Sequence, residues 1–220
     1  MLRWGLYSLR NLWARRVTTA LTVVGLGLVV FVLLAVLMLA HGLERTLGKT
    51  GDPENVIILR KGALSEIGSS LSREEIRAVA AQPDVRLTAD GRPLAVAEVG
   101  LQLTLRKGQG GSLTSVTLRG TAPEALAVRP AIRLIQGRLW KPGTTEIVVG
   151  ASIARQFPDA RVDRVLHFGN WAWTVVGVFE AGGSGFDSEV WGDAEQFLAT
   201  FHRATFSSMT LRLAHPATLP

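Results

Sequence analysis

Few residues in this 220-residue chain have the types and spacing that chemistry needs. Gly48-Lys49-Thr50 resembles the close of a phosphate-binding P-loop, which requires G-x-x-x-x-G-K-[ST] after a strand. Leu43 stands where the first glycine belongs, Gly42 is one residue early, and the segment follows a long apolar run. No nucleotide site is read there. Gly150-Ala151-Ser152-Ile153-Ala154 begins like a nucleophile elbow, with Ala154 in place of the second glycine. Asp187 and Glu189, two apart on an expected strand, share a face and could form a hydrolytic carboxylate pair; solvation or pairing with a basic neighbour is the other reading. The histidines, His41, His167, His202 and His215, lack the i, i+4 spacing and adjacent carboxylates of a metal site. The absence of cysteine removes disulfides, zinc–thiolate sites and a thiol nucleophile. No catalytic residue, metal or cofactor is assigned, and ATPase activity is not expected on this chain.

Two further groups are candidates for recognition rather than catalysis. Gly182-Gly183-Ser184-Gly185 is not a dinucleotide fingerprint, because no helix pattern follows it. It reads as a mobile loop at a partner interface or hinge, or as an ordinary turn. Trp171 and Trp173 alternate within a strand and so face one side, either to anchor a partner or to pack the core.

The elements that must hold such residues begin with an uncharged stretch. Val17–Ala40 contains no Asp, Glu, Lys, Arg or His. Its 24 residues span about 36 Å as a helix, against a hydrocarbon core of about 30 Å. A cleaved signal peptide would have a shorter apolar core and an A-x-A-like site, which LMLAHG lacks. Arg3, Arg10, Arg15 and Arg16 precede the run and no acidic residue does, so this end is expected in the cytoplasm and the rest outside. The remainder holds 20 basic and 18 acidic residues, so four of the six net positive charges belong to the membrane flank. That excess meets anionic lipid and argues against a nucleic-acid partner.

Leu2, Leu6, Leu9 and Trp13 fall at helical spacings, with Trp4 and Tyr7 interfacial in type. They read as a short amphipathic helix on the inner leaflet, or as a plain basic flank. Thr18, Thr22 and Gly25 fall at i, i+4, i+7 with Gly27 close by, a stripe that lets another helix approach, or ordinary usage in membrane helices. The expected organisation is a cytoplasmic segment over residues 1–16, a transmembrane helix over 17–41 and an extracytoplasmic domain over 42–220.

HGLERTLGKTGDPEN continues the helix for a turn or two before Gly51–Pro53. Ser72 with Glu75 has capping-box spacing, and Pro83 stops the helix that follows. LAVAEV, LQLTLR and LTSVTLR read as three hairpin strands, the last two turning at Gln109-Gly110-Gly111. RVLHFGNWAWTVVGVFE reads as a hairpin turning at Gly169-Asn170, and Asp193 as a helix cap. Roughly nine strands and four short helices in mixed order, with hairpins dominant, give an α+β class, mostly antiparallel.

The order of these segments resembles the N-terminal part of an ABC transporter permease of the MacB/FtsX-like type. The resemblance is carried by LRNLWARRVTTALTVVGLGLVV, NVIILRKG, LRGTAPEA, GRLWKPGTTEIVVGASIARQF and WTVVGVFEAGGSGFDSEVW, which span nearly the whole sequence. It implies one membrane helix, a MacB-like periplasmic core domain and then three more membrane helices in a bacterial inner membrane. It also implies a second permease subunit, like or unlike, and a separate cytoplasmic ABC ATPase subunit. The outer domain would handle lipoproteins, peptides, small amphiphiles or a periplasmic adaptor. On this reading Leu6, Leu9 and Trp13 would touch the ATPase, and Thr18, Thr22 and Gly25 would pack on other membrane helices. The chain stops at Pro220, where the family would continue, so it is expected to be a portion of a longer permease. ARVDRVLHFG departs from the pattern, lacking the glycine expected near Val162–Arg164. The rival is a single-pass, membrane-anchored periplasmic binding or adaptor module, or an anchored hydrolase.

Overall fold

The computed structural model of the chain describes residues 16–48, 54–108 and 111–215, in two compact units divided after Gly48. The first is helix α1, Arg16–Gly48. Its stretch Arg16–Gly42 is long and apolar enough to cross a membrane, and none of it is buried within the chain. Leu2, Leu6, Leu9 and Trp13 lie outside the described residues, as do Lys49, Thr50, Gln109 and Gly110.

The second unit is an α+β domain on a single nine-stranded sheet. In chain order it comprises β1 (Asn55–Ile58), α2 (Arg73–Ala80), β2 (Ala95–Arg106), β3 (Leu113–Thr121), α3 (Ala125–Val128) and β4 (Arg133–Gly137). There follow β5 (Glu146–Gly150), α4 (Ala151–Gln156), β6 (Val165–Phe168), β7 (Trp171–Glu180), a 3-10 turn (Gly185–Ser188), β8 (Glu189–Asp193), α5 (Ala194–Thr200) and β9 (Ser208–Arg212). The strands lie in the order β1-β9-β2-β3-β8-β5-β7-β4, with β6 also on β7. All pairings are antiparallel except β3–β8 and β5–β7.

Local chemistry explains the element ends. Ser72 Oγ accepts from the Glu75 amide at 3.2 Å, and Glu75 Oε2 accepts from the Ser72 amide at 2.7 Å. This capping box satisfies two amides that the first turn of α2 cannot pair. Asp193 Oδ1 accepts from the Gln196 amide at 3.0 Å and caps α5. The β6–β7 turn has Gly169 at φ +59° and Asn170 at φ +62°, the left-handed pair a two-residue hairpin needs.

Three expectations need correction. LAVAEV and LQLTLR are not separate strands: β2 runs unbroken through Gly100, whose amide donates to Ser207 Oγ at 3.0 Å. The glycine marks close packing rather than a turn. Sequence-adjacent hairpins do not dominate either; β2–β3 and β6–β7 are joined by pairings of distant strands. The missing glycine near Val162–Arg164 is replaced in function by Asp163, which sits at φ +65° and donates its amide to the Val175 carbonyl at 2.8 Å. Aspartate is among the few L-residues that enter this region readily, so the turn survives without glycine.

The two largest apolar clusters among the described residues lie against the sheet. In one, Trp173 stacks on Phe168 at 5.1 Å and meets Phe197 edge-on at 4.9 Å. In the other, Trp140, Phe179 and Trp191 pack beneath α3. Trp173 is fully buried, whereas Trp171 at the hairpin turn is 54% exposed, so the two tryptophans do not form one docking surface. Gly137 closes the bulged β4–β7 pairing at φ +73°, where a Cβ would stand 2.2 Å from the Val176 carbonyl oxygen.

Candidate functional site

The residues picked out for chemistry are not brought together. Ser152 lies in α4 and accepts from Arg155 Nη2 at 3.0 Å. Asp187 is in the 3-10 turn, not on a strand. Its two oxygens accept from the Ala181 and Gly183 amides at 2.6 and 2.7 Å, tying down the glycine-rich loop. Glu189 faces Arg119 instead. The supposed hydrolytic pair is therefore two carboxylates with separate partners. Among the described residues no group of three or more His, Asp or Glu side chains could hold a metal ion.

What the fold assembles is a buried ion network. β9, β2, β3 and β8 are consecutive in the sheet, and side chains from one face of them converge. Arg119 on β3 donates to both oxygens of Glu189 on β8, at 2.8 and 2.9 Å, and to Glu98 on β2 at 3.2 Å. Arg129, just past α3, donates to both oxygens of Glu98 at 2.8 and 2.6 Å, and to Thr210 of β9 at 2.8 Å. Thr121 and Thr210 hydroxyls donate to Glu98, and Trp191 Nε1 donates to Glu189 at 2.7 Å. From outside the sheet, Glu66 accepts from Arg119 at 2.9 Å. The Phe186 ring lies 5.3 Å from the Arg119 guanidinium and 5.2 Å from that of Arg129.

Glu98 is fully buried and both arginines nearly so. Charges so placed persist only when paired and hydrogen-bonded. Burial alone would raise the Glu98 carboxyl; Arg119 and Arg129 outweigh it and hold the group at about 2. Burial likewise opposes the Arg119 charge, but Glu189 and Glu98 raise its pKa above the ordinary value. Arg138 with Glu146 forms a more exposed bidentate pair that, helped by the Lys141 amide, holds Glu146 at about 2.

A carboxyl depressed on folding stabilises the fold above its unfolded pKa, here 4.5, and loses that contribution as pH falls toward its folded value. Unfolding free energy is thus expected to stay level above about pH 5 and fall between 4.5 and 2, Glu98 contributing about 3 kcal/mol. Denaturant titration of the chain and of Glu98→Gln across that range checks this; an equally steep acid limb in the variant would refute it.

Spacing along the chain singles out none of Glu98, Arg119 and Arg129. One signal is present: Glu98 interrupts a strand that is apolar on both faces, LAVAEVG. The membrane-helix residues fall as follows. Thr18, Thr22 and Gly25 are exposed on α1, apart from partial cover at one neighbouring position, and Thr22 Oγ1 donates to the Thr18 carbonyl at 2.9 Å. That bond satisfies the hydroxyl within its own helix.

Residues 19–220 match the MacB-like periplasmic core domain family. The chain belongs to this family. Among solved structures, this MacB-like chain is similar to the extracellular domain of the ABC-type transporter YknZ from Gram-positive bacteria. That likeness has 16% identity and a TM-score of 0.54, covering 74% of this chain and 83% of that one. It is also similar to the periplasmic region of MacB from Actinobacillus actinomycetemcomitans, at 16% identity and a TM-score of 0.56, covering 76% of this chain and 77% of that one. A search of curated proteins finds no match. The α+β class and the MacB/FtsX-like ABC permease family read from the sequence therefore hold.

Proposed function

We propose that the chain is the membrane-anchored, extracytoplasmic portion of an ABC transporter permease in the inner membrane. It couples hydrolysis on a separate ATPase subunit to export or mechanical work outside. The observation that carries this is α1, with its 27-residue stretch Arg16–Gly42 that buries nothing in its own chain, preceding a MacB-like core domain. Its arginine-rich end stays in the cytoplasm by charge. The Thr18, Thr22 and Gly25 stripe packs on further membrane helices, in a paired arrangement with a second permease subunit. The ion network ties four neighbouring strands together, so the core domain answers displacement of its membrane helices as one body. A periplasmic adaptor or cargo would meet that body.

Purification of the intact chain from native membranes in mild detergent tests this. An ABC ATPase is expected to co-purify, and Leu9→Glu with Trp13→Glu should lower its yield at least about tenfold. Copies that reach the membrane with no ATPase bound would favour the anchored adaptor module.

A further inference from the structure

Strand β2 changes neighbours part-way along. From Val99 to Arg106 it lies against β3, and from Ala95 to Glu98 against β9. β3 ends at Thr121, where the chain turns away toward α3, and the Ala122 carbonyl accepts from the Ala125 amide at 2.9 Å. The Ala95–Glu98 stretch of β2 is thus left with one edge that β3 does not reach. Backbone groups along a strand point alternately to its two sides. The Leu94 and Glu98 carbonyls point toward β9, accepting from the Arg212 and Ser207 amides at 3.0 and 2.8 Å. The Ala97 N–H and C=O and the Ala95 C=O therefore point the other way, to the open edge. Native sheets guard such edges with lysine or proline; Ala95-Val96-Ala97 has neither.

A cleft of about 450 Å³ opens on this edge. Val96 and Ala97 face opposite sides of the sheet, yet both line it, as does Ala122 where β3 has left. The cleft therefore enters between strands rather than lying over one face. Its walls are small or apolar, with Ala194 and Phe206 on the side of Ala97. Of the charged side chains on its rim, Glu195 is taken up by Arg73 and Arg92 by Asp90. Asp193 accepts from the Gly143 and Gln196 amides, and Glu124 has no ion pair among the described residues. Two carboxylates thus stand without a cation beside an unpaired strand edge.

We infer that this cleft takes an extended stretch of polypeptide, which adds a strand to β2 and carries a lysine or arginine toward Glu124 and Asp193. Main-chain bonds to Ala97 and to the Ala95 carbonyl set its register, and the carboxylates select its charge. Backbone chemistry singles out this occupant. A hydrocarbon tail would bury the Ala97 N–H and C=O without partners. A helix spends its backbone groups on itself and has none to give the edge. An acidic segment would meet like charge at the rim. The cleft lies wholly within the core domain, so the inference does not depend on the permease reading.

The test titrates the fluorescein-labelled peptide Val-Ala-Lys-Ala-Val against the full chain in nanodiscs of zwitterionic lipid, read by anisotropy. Binding with a Kd below about 1 mM is expected. N-methylation of the two alanine amides keeps every side chain and the charge but removes the donors, and should weaken binding about tenfold or more. Glutamate in place of the lysine should weaken it at least as much. In the protein, Glu124→Lys should cost about tenfold, and Ala127→Trp, which fills the cleft mouth, should abolish binding. Both positions are exposed, so neither change threatens the fold. No binding up to about 1 mM overturns the proposal. Equal affinity for the N-methylated peptide overturns strand addition, and equal affinity of Ala127→Trp places the peptide elsewhere. The chain has no cysteine, so Ala127→Cys reports on the cleft without background. A thiol shielded from soluble maleimide before peptide is added gives the cleft to another occupant, such as a second copy, and also overturns the proposal.

Discussion

Replacing Arg119 with methionine is expected to lower the unfolding free energy by about 3–5 kcal/mol. Arg119 is bonded to three carboxylates, Glu189, Glu98 and Glu66, and is itself buried. Without it, Arg129 still pairs with Glu98, but Glu189 keeps only the Trp191 N–H as a described partner. Uncompensated buried charge costs far more than the lost hydrogen bonds. Against a total stability of about 5–15 kcal/mol for a domain, this loss is near the limit of folding. Exchanging both partners, Arg119→Met with Glu189→Leu, should recover part of the loss, because removing a whole ion pair is milder than orphaning one member. Urea unfolding of the detergent-solubilised chain, followed by tryptophan fluorescence, measures both variants. A loss below about 1 kcal/mol for Arg119→Met would show that the network does not hold the strands together.

Charge placed in the middle of α1 should abolish integration only in pairs. Fifteen Leu, Val and Phe residues lie from Val17 to Leu39. On insertion scales they favour the bilayer by about 4.5–9 kcal/mol, against about 2.5–3.5 kcal/mol for one central arginine. Val29→Arg alone is therefore expected to remain largely in the membrane. Val29→Arg with Leu33→Arg forfeits two apolar residues and adds about 5–7 kcal/mol, which cancels the driving force. Alkaline extraction of membranes distinguishes the two. In the 220-residue chain by itself, a double variant that still resists extraction would count against α1 as the membrane anchor.

Both effects trace to residues that sequence reading treats differently. The span in α1 needs no tertiary context, because solvent preference acts on each residue of the run by itself. The Ser72–Glu75 box, the Asp193 cap and the Gly169–Asn170 turn are also local, since their donors and acceptors lie within a few residues. All of these are legible before any fold is known, as is the family, because loose motifs in a set order survive where identity does not. Asp163 is legible only as an irregularity; that it fills a left-handed position had to be seen.

The ion network belongs wholly to tertiary structure. Its members span residues 66 to 210 and meet only because β9 sits beside β2, and β8 runs parallel beside β3. Alternation along a strand says which residues share a face; it does not say which strand lies next to it. Thus Asp187 and Glu189, neighbours in sequence, part company, while Glu98 and Arg129 are joined across 31 residues. Composition and periodicity determined one helix long and apolar enough to cross a membrane and the α+β class, and the order of loose motifs pointed to the MacB-like family. The charged centre that locks its sheet was decided by strand order, which depends on the packing of distant segments against one another.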